Sequence, residues 1–157
     1  MSAALSERFK NSILEIFVNA AIHSESELGI FACGQYFPVK HRLDFCVADA
    51  GIGIRRKIYK ELGLKFNSDK AIEWALQEGN TTRKGNVPGG LGLQLIREFI
   101  SMNKGCIQIV SDRGYWELNP HGETLSRIDT PFPGTVINIE INTADTDFYC
   151  LRSESEH

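Results

Sequence analysis

Glu15, Asn19 and His23 recur every four residues in a segment whose apolar positions repeat with helical spacing. Positions four apart on an α-helix are rotated by ~40°, so the three side chains form a gently spiralling row. The row borders the apolar stripe, which places it at the rim of a pocket floored by a sheet. An acid, an amide and an imidazole in such a row suit a metal–phosphate site. The Asn19 carbonyl oxygen is a neutral, hard ligand for Mg²⁺, an ion that otherwise keeps water and phosphate oxygens around it. Glu15 can take a proton from an attacking hydroxyl or water. His23 can donate a hydrogen bond to a phosphate. By itself the segment reads more plainly as an amphipathic helix with three polar residues at its boundary.

Asp49-Ala50-Gly51-Ile52-Gly53 ends an apolar run. A carboxylate there can accept from the exocyclic amine of adenine, and Gly51 and Gly53 let the backbone turn sharply and approach a flat ring. A turn with a capping aspartate explains the same residues equally well. Gly89-Gly90-Leu91-Gly92-Leu93 places glycines where a helix begins. The free amides and partial positive charge of that end suit phosphate oxygens. Thr82, Arg83 and Lys84 lie in the preceding glycine-rich loop, from which the two cations can close over phosphates. Three other nucleotide signatures fail. Arg56 stands where a dinucleotide fingerprint needs its third glycine, no Gly-Lys-Ser/Thr forms a Walker loop, and the kinase strand-to-lysine pattern is missing.

The elements that must position these residues follow from periodicity. Leu5, Phe9, Ile13, Ile16, Phe17, Ala20 and Ala21 predict a helix over 5–24. Strands are expected from Leu28 to Val39 and from Arg42 to Ala48, paired as an antiparallel hairpin. Short helices follow from Arg55 to Leu62 and from Ser68, as cap, to about Glu78, where Gly79 ends the second. Residues 79–90 read as a loop, and a helix runs from Leu91 to about Asn103. Strands near Cys106–Ser111, Tyr115–Leu118 and Thr135–Ile141 complete the order, with residues 119–133 and their three prolines as an insertion. The arrangement is an α+β, two-layer sandwich: a mostly antiparallel mixed sheet with helices on one face. Residues 1–142 form the domain and 143–157 a polar, frayed tail.

Composition narrows the partners. At 157 residues, with 42% apolar and 24% charged residues, the chain has room for one ordinary globular core. A net charge of −3 does not favour nucleic acid or anionic membrane, and no apolar run approaches the ~20 residues needed to cross a bilayer. The cluster Arg55, Arg56, Lys57 and Lys60 reads as a solvated helix face. Cys33, Cys46, Cys106 and Cys150 form no CxxC pair and read as buried, reduced thiols of a cytoplasmic protein.

Taken together, the segments resemble the GHKL ATPases: DNA gyrase, heat-shock chaperone, histidine kinase and mismatch-repair ATPases, whose nucleotide pocket is the Bergerat fold. The N box of that family looks like Glu15-xxx-Asn19-xxx-His23, its G1 box like Asp49-x-Gly51-x-Gly53 and its G2 box like Gly90-Leu91-Gly92-Leu93. A late Gly-Thr matches Gly134-Thr135. The resemblance covers about residues 5–142 and leans toward the histidine-kinase and anti-sigma-factor-kinase branch, through Asn19-Ala20-Ala21-Ile22-His23 and Gly79-Asn80-Thr81-Thr82-Arg83. It implies ATP and Mg²⁺ as ligands. Asn19 would hold the metal, Asp49 and Thr135 would lie at the adenine, Gly90 and Gly92 would border the triphosphate, and Glu15 would be the catalytic acid/base. It also implies transfer of the γ-phosphoryl to a His or Ser on a separate domain or protein partner. A nucleotide-gated switch with slow or no hydrolysis, or an ATPase driving conformational change, are the alternatives. The start just before the N box fits either a domain cut from a longer protein or a small stand-alone one.

Overall fold

The computed structural model describes residues 1–77, 79–80 and 91–151, the first two residues of its last helix as backbone only. Ser2 opens helix α1 (Ala3–Val18), where its Oγ accepts from the Leu5 N–H at 3.1 Å. That bond satisfies one of the amides a helix start leaves free. Leu5 and Ile16 of the expected stripe are buried, and Ser12 is buried with them. From Asn19 the helix widens into a π turn, Asn19–His23, so the expected helix continues to His23 but not with α geometry. Such single turns carry one residue more per hydrogen-bonded ring.

Strands β1 (Ile30–Phe37) and β2 (Arg42–Asp49) form the expected antiparallel hairpin. Helix α2 (Gly53–Leu62) ends on Gly63, whose left-handed φ of 71° lets its N–H bond the Tyr59 carbonyl at 2.8 Å. Helix α3 (Ser68–Ala75) stops short of the expected end near Glu78. Asn67 holds the cap position there, and Ser68 Oγ instead donates to Asp112 Oδ2 at 2.9 Å. Helix α4 (Leu91–Asn103) is followed by the long strands β3 (Cys106–Asn119) and β4 (Gly122–Asn142).

The sheet order is β1-β2-β4-β3, and every pairing among the described residues is antiparallel rather than mixed. The two strands expected at 106–111 and 115–118 are one strand, irregular between Ser111 and Gly114, where Asp112 takes φ 52°. Residues 119–133 are no insertion. Tyr115 to Leu118 pair with Ser126 to Glu123, and Asn119 and Gly122 close the hairpin. The prolines fit because each falls outside the ladder. Pro120 lies in the turn, and Pro131 and Pro133 flank Phe132 where the register shifts. No pairing there needs the N–H that proline lacks.

The helices cover one face of this sheet, giving two layers. Val47, Ile107, Ile109 and Ile139 from the strands meet Ile16, Ile72, Ile96 and Ile100 from the helices, all at most 3% exposed. Full burial of such a side chain stabilises by about 1.5–3 kcal/mol. Gly114 lets α3 settle onto β3, since a Cβ there would lie 2.6 Å from the Ser68 carbonyl oxygen. Asn103 ties α4 to β4 by donating to the Asn142 carbonyl at 2.9 Å and accepting from the Asn142 N–H at 2.7 Å. Past residue 142 the expected frayed tail is anchored at Tyr149, whose ring meets Phe99 edge-on at 5.6 Å and whose carbonyl accepts from the Ser2 N–H at 2.7 Å.

The cysteines depart from the sequence reading. All four are free, but none is buried. Cys46 and Cys106 alternate with the buried Val47 and Ile107, so strand geometry turns them to the sheet face opposite the helices. Cys33 sits directly across from Cys46 on the edge strand. Partial burial pushes the Cys46 thiol up, with Cys33 adding to it. Burial, then Glu117, Glu140 and Asp44, raises Cys106 to about 11. Both stay protonated near neutral pH, which lowers their reactivity. No helix among the described residues is long and apolar enough to cross a membrane.

Candidate functional site

The turn after β2 is pinned from three sides. Asp49, 6% exposed, accepts from the Gly51 N–H on Oδ1 at 2.9 Å, and its carboxylate also accepts from the Thr135 N–H. Burial pushes the Asp49 carboxyl above its ordinary value, and the two N–H groups pull it part of the way back. On one flank, the Ile52 N–H donates to the Ser24 carbonyl at 2.8 Å. On the other, the Ile54 N–H donates to Ser111 Oγ at 2.8 Å, satisfying a free amide of α2 that its own cap residue leaves open.

The glycines in this turn do separate jobs. A Cβ on Gly51 would stand 1.9 Å from the Ser24 carbonyl oxygen, so its missing side chain is demanded by the end of the π turn. Of the two roles the sequence reading gave Gly51, a sharp turn and the approach of a ring, the structure shows the turn, and Gly51 is not among the residues that line the cavity. Gly53 takes φ 74° and does line the cavity.

A cavity of about 600 Å³ opens between α1, the π turn, α2, α3 and the sheet. That volume lies within the range of small-molecule sites. Glu15, Asn19 and His23 line one side, and Asp49, Gly53 and Thr135 line the end over the sheet. Leu93 contributes from α4. Residues from three distant parts of the chain thus converge. Leu91 and Gly92 are the first two positions of α4. Thr82, Arg83, Lys84 and Gly90 lie outside the described residues.

Some of the wall was not assigned to a pocket by the chemistry of the motifs; Trp74 entered only as a candidate stand-in for the lid-box aromatic of the family resembled. Ile54 and Ile58 of α2 and Trp74 of α3 supply apolar surface to the cavity. Ile58 was visible only as one apolar residue among the basic cluster. That cluster does not form one solvated face. Lys57 turns to the cavity beside Glu61, with Nζ to Oε1 at 3.3 Å, while Arg55 pairs with Asp112 at 2.9 Å and Lys60 with Glu25 at 2.5 Å. Ser24 and Ser111 carried no sequence signal, since an isolated serine in a strand or after a helix is commonplace.

Among the described residues no three His, Cys, Asp or Glu side chains converge as a metal cage. The side-chain oxygen of Asn19, which lines the cavity, is a neutral hard donor of the kind that fits Mg²⁺. That ion takes one or two protein oxygens and fills its octahedron with phosphate oxygens and water. No protein-family model matches the chain, and no curated protein matches it.

Proposed function

We propose that this chain is an ATP–Mg²⁺-binding domain of the GHKL kind, and that it transfers the γ-phosphoryl to a His or Ser on a separate domain or protein. The observation that carries the reading is the convergence of Asn19, Asp49 and Thr135 on one cavity, with Asp49 buried at its end. Nothing in a simple amphipathic helix or an ordinary capped turn requires those three to meet.

In this reading Asp49 and Thr135 meet the adenine edge, and Ile54, Ile58 and Trp74 flank the ring. Asn19 offers Mg²⁺ a neutral oxygen, with Glu15 one turn before it. The bound metal would neutralise charge on the phosphates, and positioning would supply most of the rate in a loose phosphoryl-transfer transition state. Glu15 would accept the proton from the acceptor's nucleophile. His23 would hold a phosphate oxygen.

The test is calorimetric titration with ADP and a non-hydrolysable ATP analogue, each with and without Mg²⁺. Micromolar, Mg²⁺-dependent binding is expected. No binding to the folded chain would remove the foundation of the proposal.

A further inference from the structure

At the end of the cavity, one arrangement of protons lets two hydroxyls satisfy every contact they make. Ser111 is 1% exposed and has one proton and two lone pairs to share. The Ile54 N–H, at 2.8 Å, can only donate, so it takes one lone pair. The Gly134 carbonyl oxygen, at 3.1 Å, can only accept. The third contact, to Thr135 Oγ1 at 3.1 Å, has either oxygen as possible donor, and all three bonds are made at once only when Ser111 donates to Gly134 and Thr135 donates to the second lone pair of Ser111.

This matters because Thr135 lines the cavity. With its proton turned back toward Ser111, Thr135 Oγ1 shows the cavity lone pairs only. The Asp49 carboxylate beside it accepts from two backbone N–H groups and also presents oxygen. The end of the cavity is therefore an acceptor-only edge. A ligand group placed there must bring a proton, and a carbonyl in the same place would face like charge with no partner.

We propose that Ser111 is a specificity-determining positioning residue. By holding the Thr135 proton away from the cavity, it makes the site select a 6-aminopurine over a 6-oxopurine. The inference rests on the nucleotide reading above and adds to it a residue outside every motif recognised in the sequence. Ser111 itself touches no ligand, and its effect travels through the Thr135 hydroxyl.

The test is titration of the full chain with ADP and with inosine diphosphate, comparing wild type, Ser111→Ala, Thr135→Val and the double variant. Wild type is expected to prefer ADP. In Ser111→Ala the Thr135 hydroxyl is free to rotate and donate, and the preference should fall by about tenfold, the worth of roughly one hydrogen bond. In the Thr135→Val background the same serine change should leave the preference where it is, because the proton it controls is gone. Equal weakening of both nucleotides by Ser111→Ala, with their ratio unchanged, would reduce Ser111 to scaffold and overturn the proposal. Were Ser111→Ala unfolded by circular dichroism, Thr135→Val reads the same proton, and a wild-type ratio in that variant would overturn it too. Wild type that binds neither nucleotide would instead sink the nucleotide reading itself, and this proposal with it.

Discussion

Gly134 lies against Asp49 with no room for a side chain: a Cβ on it would stand 2.1 Å from the Asp49 carbonyl oxygen and 2.7 Å from Oδ1. Its φ of 97° belongs to glycine as well. Gly134→Ala should therefore lower stability by at least the roughly 1–3 kcal/mol of a strained backbone, with the collision adding to it. Urea unfolding would show it as a lower midpoint at unchanged slope. A midpoint equal to wild type would mean that β4 shifts freely at this point.

Asp49→Asn keeps an oxygen for the Gly51 N–H but removes the buried charge. Nucleotide affinity should fall by about tenfold or more, as one charged hydrogen bond is lost, with the fold intact. Stability supplies a second check. Because burial raises the Asp49 carboxyl above its unfolded value, the folded state binds the proton more tightly. The cost of ionising it is absent below the unfolded value and fully present above the folded one. The stability of the asparagine variant relative to wild type should thus be highest near neutral pH and should fall as pH drops through the carboxylate range. A difference that moved the other way toward acid would contradict the assignment.

Asn19→Ala should bind nucleotide but lose the enhancement that Mg²⁺ confers, measured as the ratio of dissociation constants with and without the ion. Glu15→Ala should retain both binding and the Mg²⁺ effect and lose phosphoryl transfer by about 10²–10⁴-fold, the usual range for a proton-transfer group. Full turnover in that variant would favour a switch whose chemistry is secondary.

Trp74 lines the cavity, and Trp116, the chain's other tryptophan, is 3% exposed in the core. ADP should change the intrinsic fluorescence through Trp74 alone. Trp74→Phe should abolish the change while leaving the Trp116 emission. A signal that survives the substitution would put the ligand elsewhere or move the core.

The residues that announced themselves in the sequence are those whose chemistry needs a special type at a fixed spacing. Asn19 and Asp49 stood out in this way, Thr135 joined them only through the family resemblance, and the α+β sandwich followed from helix and strand periods. What escaped were contacts made across the chain. Trp74 reaches the cavity only because α3 docks on β3 over Gly114. Ser111 matters only because the turn after β2 delivers the Ile54 N–H to it, 57 residues away in sequence. The prolines after Asn119 suggested a break because proline opposes pairing, and only the register shows that each one sits where pairing is suspended. The π turn was illegible for a related reason, since its Glu-Asn-His spacing is also that of a regular α-helix.

That π turn makes the chain's length, rather than its composition, critical at one place. Ser24 ends Asn19–His23 and meets both Ile52 and Gly51, so α1 and the turn after β2 are held at a set distance by a wide loop of backbone. Losing one residue between 19 and 23 would restore ordinary α spacing and draw Ser24 back along the helix, away from both contacts. Point changes on the outer side, at the exposed Ala21 or Ile22, disturb none of this. The segment is tolerant of spelling and intolerant of deletion.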